Sequence, residues 1–283
     1  MNERIGLCTD SNSQIPDELV ERYDVEVVPL TVTVDGRDHL EGVDLDADGF
    51  YAHFAGGRTP EIATSQPSPG RFVEAYRRLA VRGCTSIVSI HITSSMSGTL
   101  GSAALAATDA SVPVRLVDSG TASFGISCSV WAAALVRDAG GSLDEVAAAA
   151  ERLGPASGSA FVVGVPLLIR QGGRAAGLDI EGARESDGLP VLSMEGGELS
   201  VLDRVSDLDA AVAAMTTYAL HGRHRVNIAI GTSDASSRPV ADALTERLIG
   251  DDEVVEVVQY RIGPSVGAHT GPGTAGLFVF PSP

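Results

Sequence analysis

The stretch SIVSIHITSSMSGTLGSAALAA, residues 86–107, carries the reading of the fold. Its opening, SIVSIHI, is apolar and β-branched over the length of a buried strand, and its end, SGTLGSAALAA, has the small, alanine-rich character of a helix. Between them lies a loop dense in hydroxyls, with Ser94, Ser95, Ser97 and Thr99 at or near one strand end. The same step recurs on either side. Arg4 to Cys8 reads as a short strand ending at Thr9-Asp10-Ser11, and PDELVERY follows as a helix with Pro16 suited to its first turn. VEVVPLTVTV (Val25 to Val34) reads as the next strand, closed by a turn at Gly36. SPGRFVEAYRRLAVRG predicts a helix ending at Gly83, VPVRLVDS a strand, and TASFGISCSVWAAALVRDAGG another helix. Strands alternating with helices argue for a parallel sheet covered by helices, and such sheets bind ligands at the carboxyl ends of their strands. The loops TDS, SSMSG and DSGTAS all fall there.

After Gly154-Pro155 the pattern changes. SAFVVGV, PVLSMEGGELSVLDRV, VNIAIGTSD, VVEVVQYRIG and AGLFVF read as strands separated by only two clear helices, DLDAAVAAMTTYALHG and SRPVADALTERLIG. The Glu-Gly-Gly between PVLSM and ELSVLDRV is a hairpin signal. The expectation is an α/β protein of two domains: an N-terminal parallel-sheet α/β domain over residues 1–157, and a C-terminal α+β domain over residues 158–283. A ligand would lie between or along them.

Composition narrows the function classes. A chain of 283 residues with a formal charge of −17 presents no general surface for nucleic acid or anionic membrane. All 20 basic residues are Arg. Without Lys, neither Schiff-base chemistry nor the lysine of a phosphate-binding P-loop is available. Cys8, Cys84 and Cys128 form no C-x-x-C pair, and Cys8 and Cys84 sit in apolar surroundings expected to bury them. MNERIGLCTD lacks the organisation of a signal peptide, and the apolar run Ala160 to Ile169 is far shorter than a membrane span, so the expected location is the cytoplasm with no stable membrane insertion.

Several motif matches fail in context. GPSVG (Gly263 to Gly267) matches a nucleophile elbow, but no acid follows Ser265 and no helix is expected after it. GPGTAG (Gly271 to Gly276) has the dinucleotide-binding spacing but leads into the strand LFVF near the end of the chain. DLDADG (Asp44 to Gly49) copies half of a calcium loop, with Ala55 where a bidentate Glu belongs, and reads instead as an acid-rich helix start. His221 and His224 read as helix-terminal cations.

What remains is a set of small polar loops at one sheet edge. TSQPSPG (Thr64 to Gly70) precedes a helix and SSMSGT begins another. Taken singly, Thr64 reads as a turn cap and Ser97 as a helix N-cap; taken together, the loops make a polar pocket. TDSNSQIP (Thr9 to Pro16), TSQPSPG, SSMSGTLGSA, DSGTASFG (Asp118 to Gly125), QGGR (Gln171 to Arg174) and IGPSVGAHTGPG (Ile262 to Gly273) resemble, in order, the motif series of the bacterial DegV family.

That resemblance implies a two-domain α/β protein that buries a long-chain fatty acid such as palmitate, with no cofactor, and that in some members serves as the binding subunit of a fatty acid kinase. It further implies that Thr64 and Ser97 hydrogen-bond the carboxylate, with His269 close by and Arg174 as a further member. Arg204, in VLDRVSD, falls where the family carries an arginine linked to a kinase ATP-binding subunit. The chain departs from the family pattern over Gly177 to Leu192, where a leucine-rich segment ending in Lys-Pro is replaced by GLDIEGARESDGLPVL. The physical logic agrees with the implied site. A buried carboxylate needs donors, which hydroxyls, a histidine and backbone N–H groups at a helix start provide. Burying about 15 methylenes at ~0.8 kcal/mol each provides on the order of 12 kcal/mol before the costs of binding. The expected protein is non-catalytic. The alternatives are a serine hydrolase acting on acyl esters through Ser97 with His269 as base, and a carrier of another carboxylated lipid.

Overall fold

The computed structural model describes residues 4–173 and 188–282. The first part of the chain runs β1 (Ile5–Asp10), α1 (Asp17–Tyr23), β2 (Val25–Val28), β3 (Thr31–Val34), β4 (Arg37–Leu40), α2 (Ala47–Ala52), β5 (Ile62–Ser65), α3 (Pro69–Val81), β6 (Ser86–His91), α4 (Thr99–Ala107), β7 (Val114–Asp118), α5 (Phe124–Asp138) and α6 (Leu143–Ala156). It continues through β8 (Gly158–Val162), α7 (Pro166–Gln171), β9 (Leu189–Glu195), β10 (Glu198–Val205), α8 (Leu208–Leu220), β11 (Val226–Thr232), α9 (Arg238–Leu248), β12 (Val254–Arg261), α10 (Pro264–Thr270) and β13 (Ala275–Pro281).

Three sheets result. Strands β2-β1-β6-β7 form a parallel sheet, β4-β3-β5 a small antiparallel one, and β10-β9-β8-β13-β11-β12 a mixed sheet whose strands all come from Gly158 onward. The fold is therefore α/β, with a parallel-sheet part followed by an α+β part. β1 and β6 are buried along their whole length, as expected of central parallel strands. Helix α3 buries Phe72, Ala75, Tyr76 and Leu79, one face at helical spacing. Helix α6 opens on a capping box between Ser142 and Glu145. Gly196 (φ 56°) and Gly197 (φ 80°) make the two-residue β9–β10 turn, which needs positive φ at both positions.

Ten of the first eleven residues of helix α5, Phe124 to Ala134, are buried, Ala132 being the exception. It lies in a core shared by both parts, with Leu7, Val88 and Ile90 of the parallel sheet and Tyr260, Phe278 and Phe280 of the mixed sheet. Helix α10 crosses the same seam in the other direction: Ala268 joins Val32, Phe50 and Tyr51 in a separate small core. A helix of the second part thus closes over the antiparallel sheet of the first.

Two sequence expectations are corrected. VEVVPLTVTV is not one strand. Pro29 has no N–H to continue a ladder, and the chain leaves the parallel sheet after Val28 to enter the antiparallel one at Thr31. A helix does follow GPSVG, with Pro264 at its first turn. Its seven residues have little helical drive of their own. It forms where Gly267 allows close docking: a Cβ there would lie 2.6 Å from Tyr51 Oη and 2.8 Å from Phe50 Cε1.

Candidate functional site

The strand-end loops converge where the two parts meet. Thr64 shares the inward face of β5 with Ile62, and its Oγ1 lies 3.3 Å from Nε2 of His269 on α10. Ser97 occupies the loop between β6 and α4. Its Oγ lies 2.8 Å from Thr99 Oγ1 and accepts from Thr99 N at 3.3 Å, so the hydroxyl sits at the start of α4 although Gly98 is the capping position. Gly98 has a packing reason to be glycine. A Cβ would meet Gln66 Oε1 at 2.5 Å, and Gln66 Nε2 donates to Ser102 at 3.4 Å, which fastens the TSQP loop over the SSMSGT loop. His269 is seated by Gly172, where a Cβ would stand 2.2 Å from its Nδ1.

Thr64, Ser97 and His269 line one cavity of about 150 Å³, part of it open to solvent. The same wall includes Ile169, Phe161, Met194, Leu199, Leu277 and Phe278, so the hydroxyls and imidazole share a space otherwise lined largely by hydrocarbon. Among the described residues, no Asp, Glu or Arg lines it, although the chain as a whole carries −17. An anion entering meets no lining carboxylate. Thr64 and Ser97 also border the shallower opening next to Gln66 and Gly98, which puts them at a mouth. Arg174 lies outside the described residues, as does most of the divergent segment from Gly177. Arg204 is on β10, the edge strand of the mixed sheet, opposite Pro190 and away from the cavity lining.

The structure adds residues that the sequence did not single out. Asn12 Nδ2 donates to Ser265 Oγ at 3.1 Å, and Asn12 Oδ1 accepts from Ser123 N at 3.0 Å, joining the segments that follow β1, β7 and β12 in the cavity wall. Glu41 is buried. Its Oε1 accepts from Ser265 N (2.8 Å) and Gln14 Nε2 (3.2 Å), and its Oε2 from Ser11 Oγ (2.5 Å). Burial pushes this carboxyl's pKa above its ordinary value, against the opposing pull of those hydrogen bonds. Asp118 goes the other way. Partial burial raises its pKa, but donors from Ser94 and the Gly120 N–H outweigh it and leave the carboxyl below its ordinary value. Through Ser94 N (3.1 Å) and Oγ (2.6 Å), Asp118 ties down the loop that carries Ser97.

A Ser–His–Asp array also exists, though not in the cavity. Ser89 Oγ lies 2.7 Å from His91 Nε2, and His91 Nδ1 lies 2.9 Å from Asp10 Oδ2, with Tyr76 Oη 3.0 Å from the serine. All three members are fully buried and Ser89 lines no cavity described here, so no acyl group reaches it. Asp10 also accepts from Asn12 N and Ile92 N. The array therefore clamps the ends of β1 and β6 and serves architecture. In the cavity itself, Ser97 pairs with Thr99 and His269 Nε2 with Thr64, which is not the serine–histidine pairing of a hydrolase. Among the described residues no helix is long and apolar enough to cross a membrane.

Comparison with known proteins places this geometry. The family model described as "Uncharacterised protein, DegV family" matches residues 4–282. A DegV domain-containing protein of Streptomyces coelicolor is 34% identical over 283 residues, covering 99% of each chain. A solved DegV family protein from Thermus thermophilus, described as fatty acid binding, superposes with a TM-score of 0.88 at 30% identity, covering 99% of this chain and 100% of its own. A stearic acid-binding protein from Eubacterium ventriosum has the same fold, with a TM-score of 0.85 at 21% identity over 98% of each chain.

Proposed function

We propose, from the premise that this chain belongs to the DegV family, that it binds a long-chain fatty acid, with the carboxylate at Thr64 and Ser97 and the acyl chain along the apolar wall. The observation that carries the reading is the cavity itself: hydroxyls and an imidazole on a wall otherwise mostly hydrocarbon, with no lining carboxylate among the described residues. The fatty acid binding described for the Thermus thermophilus relative supports it. His269 donates to or orients the carboxylate beside Thr64, and Arg174 completes the head-group site. Hydroxyls can hold an anion without neutralising it, which leaves the carboxylate oxygen available to a second protein.

On this reading the protein carries out no chemistry of its own and needs no cofactor. It acts in the cytoplasm, buries a chain of palmitate size and presents the carboxylate to a separate ATP-binding kinase subunit for phosphorylation. Arg204, on the exposed edge strand, belongs to the partner surface. Residues 1–157 and 158–283 are its two domains, and the acyl chain lies between them. The test is to strip the purified protein of lipid and titrate it with saturated fatty acids of increasing length. Affinity should rise by about fourfold for each methylene buried, until the wall is filled. No uptake of any chain, together with no fatty acid in a denaturing extract, would reject the reading.

A further inference from the structure

One polar atom of the cavity wall is fully buried and has no partner in the protein. On β8, alternation sends Ser159 and Phe161 to the cavity while Ala160 and Val162 enter the core on the other face of the sheet. The ladder sets Ser159 directly opposite Phe278 of β13 on one side and Met194 of β9 on the other, and both of those line the cavity as well. A hydroxyl therefore stands in the middle of an apolar stretch of wall. Ser159 is 1% exposed, and its Oγ is buried with no hydrogen-bond partner.

Other hydroxyls of the wall are engaged. Thr274 Oγ1 donates to the Thr270 and Gly271 carbonyls, Thr270 to Val266 O, and Ser265 Oγ accepts from Asn12. One strand further along the sheet, Ser193 and Ser200 satisfy each other at 2.8 Å. Among the described residues that line the cavity, Ser159 alone has a fully buried hydroxyl with no partner in the protein. Buried polar groups rarely stay unpaired, and alanine would pack the same wall without that cost.

We infer that Ser159 is a polar subsite for the tail of the ligand, and that the class of acyl chain this cavity takes is one bearing a hydroxyl group on a tail carbon that comes to rest against β8. The inference rests on the fatty-acid reading and narrows its substrate class. The serine discriminates by what it leaves unpaired. A plain chain keeps Ser159 Oγ buried without a partner, whereas a chain hydroxylated at the matching carbon satisfies both hydroxyls at once. A hydroxyl at any other carbon is buried against hydrocarbon and is rejected.

The experiment compares stearic acid with a positional series of monohydroxystearic acids on delipidated wild-type protein and on Ser159→Ala. In wild type, one isomer should bind within about threefold of stearate while the others bind at least tenfold more weakly. In Ser159→Ala, the affinity of that isomer relative to stearate should fall about tenfold, equivalent to ~1.4 kcal/mol. A wild-type series in which every isomer is penalised alike overturns the proposal without needing the variant. So does a relative affinity that changes less than fivefold between wild type and Ser159→Ala for every isomer, which is the behaviour of a serine that merely holds a water. If stearate and all its hydroxylated forms fail to bind, the fatty-acid reading falls and this proposal with it. If stearate binds and the series is flat, only this proposal falls.

Discussion

Gly172→Ala should weaken fatty-acid binding without touching any atom of the ligand. Gly172 ends α7 with φ near −70°, so alanine fits its backbone and the effect comes only from the added methyl. That methyl would lie 2.2 Å from His269 Nδ1, 3.0 Å from Cε1 and 3.3 Å from Cγ. The ring must retreat by about 1 Å to restore ordinary contact, and its Nε2 already sits 3.3 Å from Thr64 Oγ1. A further displacement of that size removes the imidazole from hydrogen-bond range of the head group. A hydrogen bond to a charged partner contributes roughly 1.5–3 kcal/mol, so affinity should drop roughly 10- to 150-fold. Overpacking costs a further ~1–3 kcal/mol of stability, visible as a lower melting temperature. The assay is displacement of a fluorescent fatty acid at two chain lengths, C14 and C18. Because the defect is at the head, both lengths should lose the same factor. Affinity within threefold of wild type in a folded variant would refute the role given to His269, and a loss that grows with chain length would show that the tail wall had moved instead.

Other consequences are as direct. The pKa of Glu41 is higher in the folded protein than its ordinary 4.5, so its contribution to stability is full below about pH 4.5 and is lost as pH rises through the raised folded value. The melting temperature of wild type relative to Glu41→Gln should therefore fall over that window, and parallel curves or a relative rise would contradict the assignment. Ser89→Ala leaves Tyr76 Oη and His91 Nε2 without their buried partner; denaturant midpoints should show a loss of ~1–3 kcal/mol while fatty-acid affinity stays within threefold. Gly101 lies on α4 with nothing within 4 Å of its would-be Cβ, and Gly101→Ala should raise stability by ~0.5–1 kcal/mol at unchanged affinity.

Where a residue's role follows from its immediate neighbours, it was legible in the sequence. Buried strands such as SIVSIHI and the Gly-Gly hairpin are local patterns, and each forms as the sequence predicts. The antiparallel sheet was hidden because its strands are only four residues long and one is fused in sequence to β2 across Pro29. Helix α10 was missed because Gly267 and Ser265 argue against a helix until Phe50 and Tyr51 are packed on it. Thr64, Ser97 and His269 were named from ordered motifs, and their common cavity is a tertiary fact. Glu41 had no sequence signal, being one acid among many. Its burial against Ser265, 224 positions away, belongs to the fold. Nothing in SAFVVGV marks Ser159, since an unpaired hydroxyl is defined by what surrounds it.

The most direct test of the account is a crystal structure of the protein with a fatty acid carrying bromine on its terminal carbon, whose anomalous signal marks the tail without ambiguity. The account predicts the carboxylate within hydrogen-bond distance of Thr64 Oγ1 and Ser97 Oγ, and the bromine against the apolar wall that includes Phe161 and Leu277. Bromine beside Thr64 and Ser97, or a chain lying outside this cavity, would contradict it.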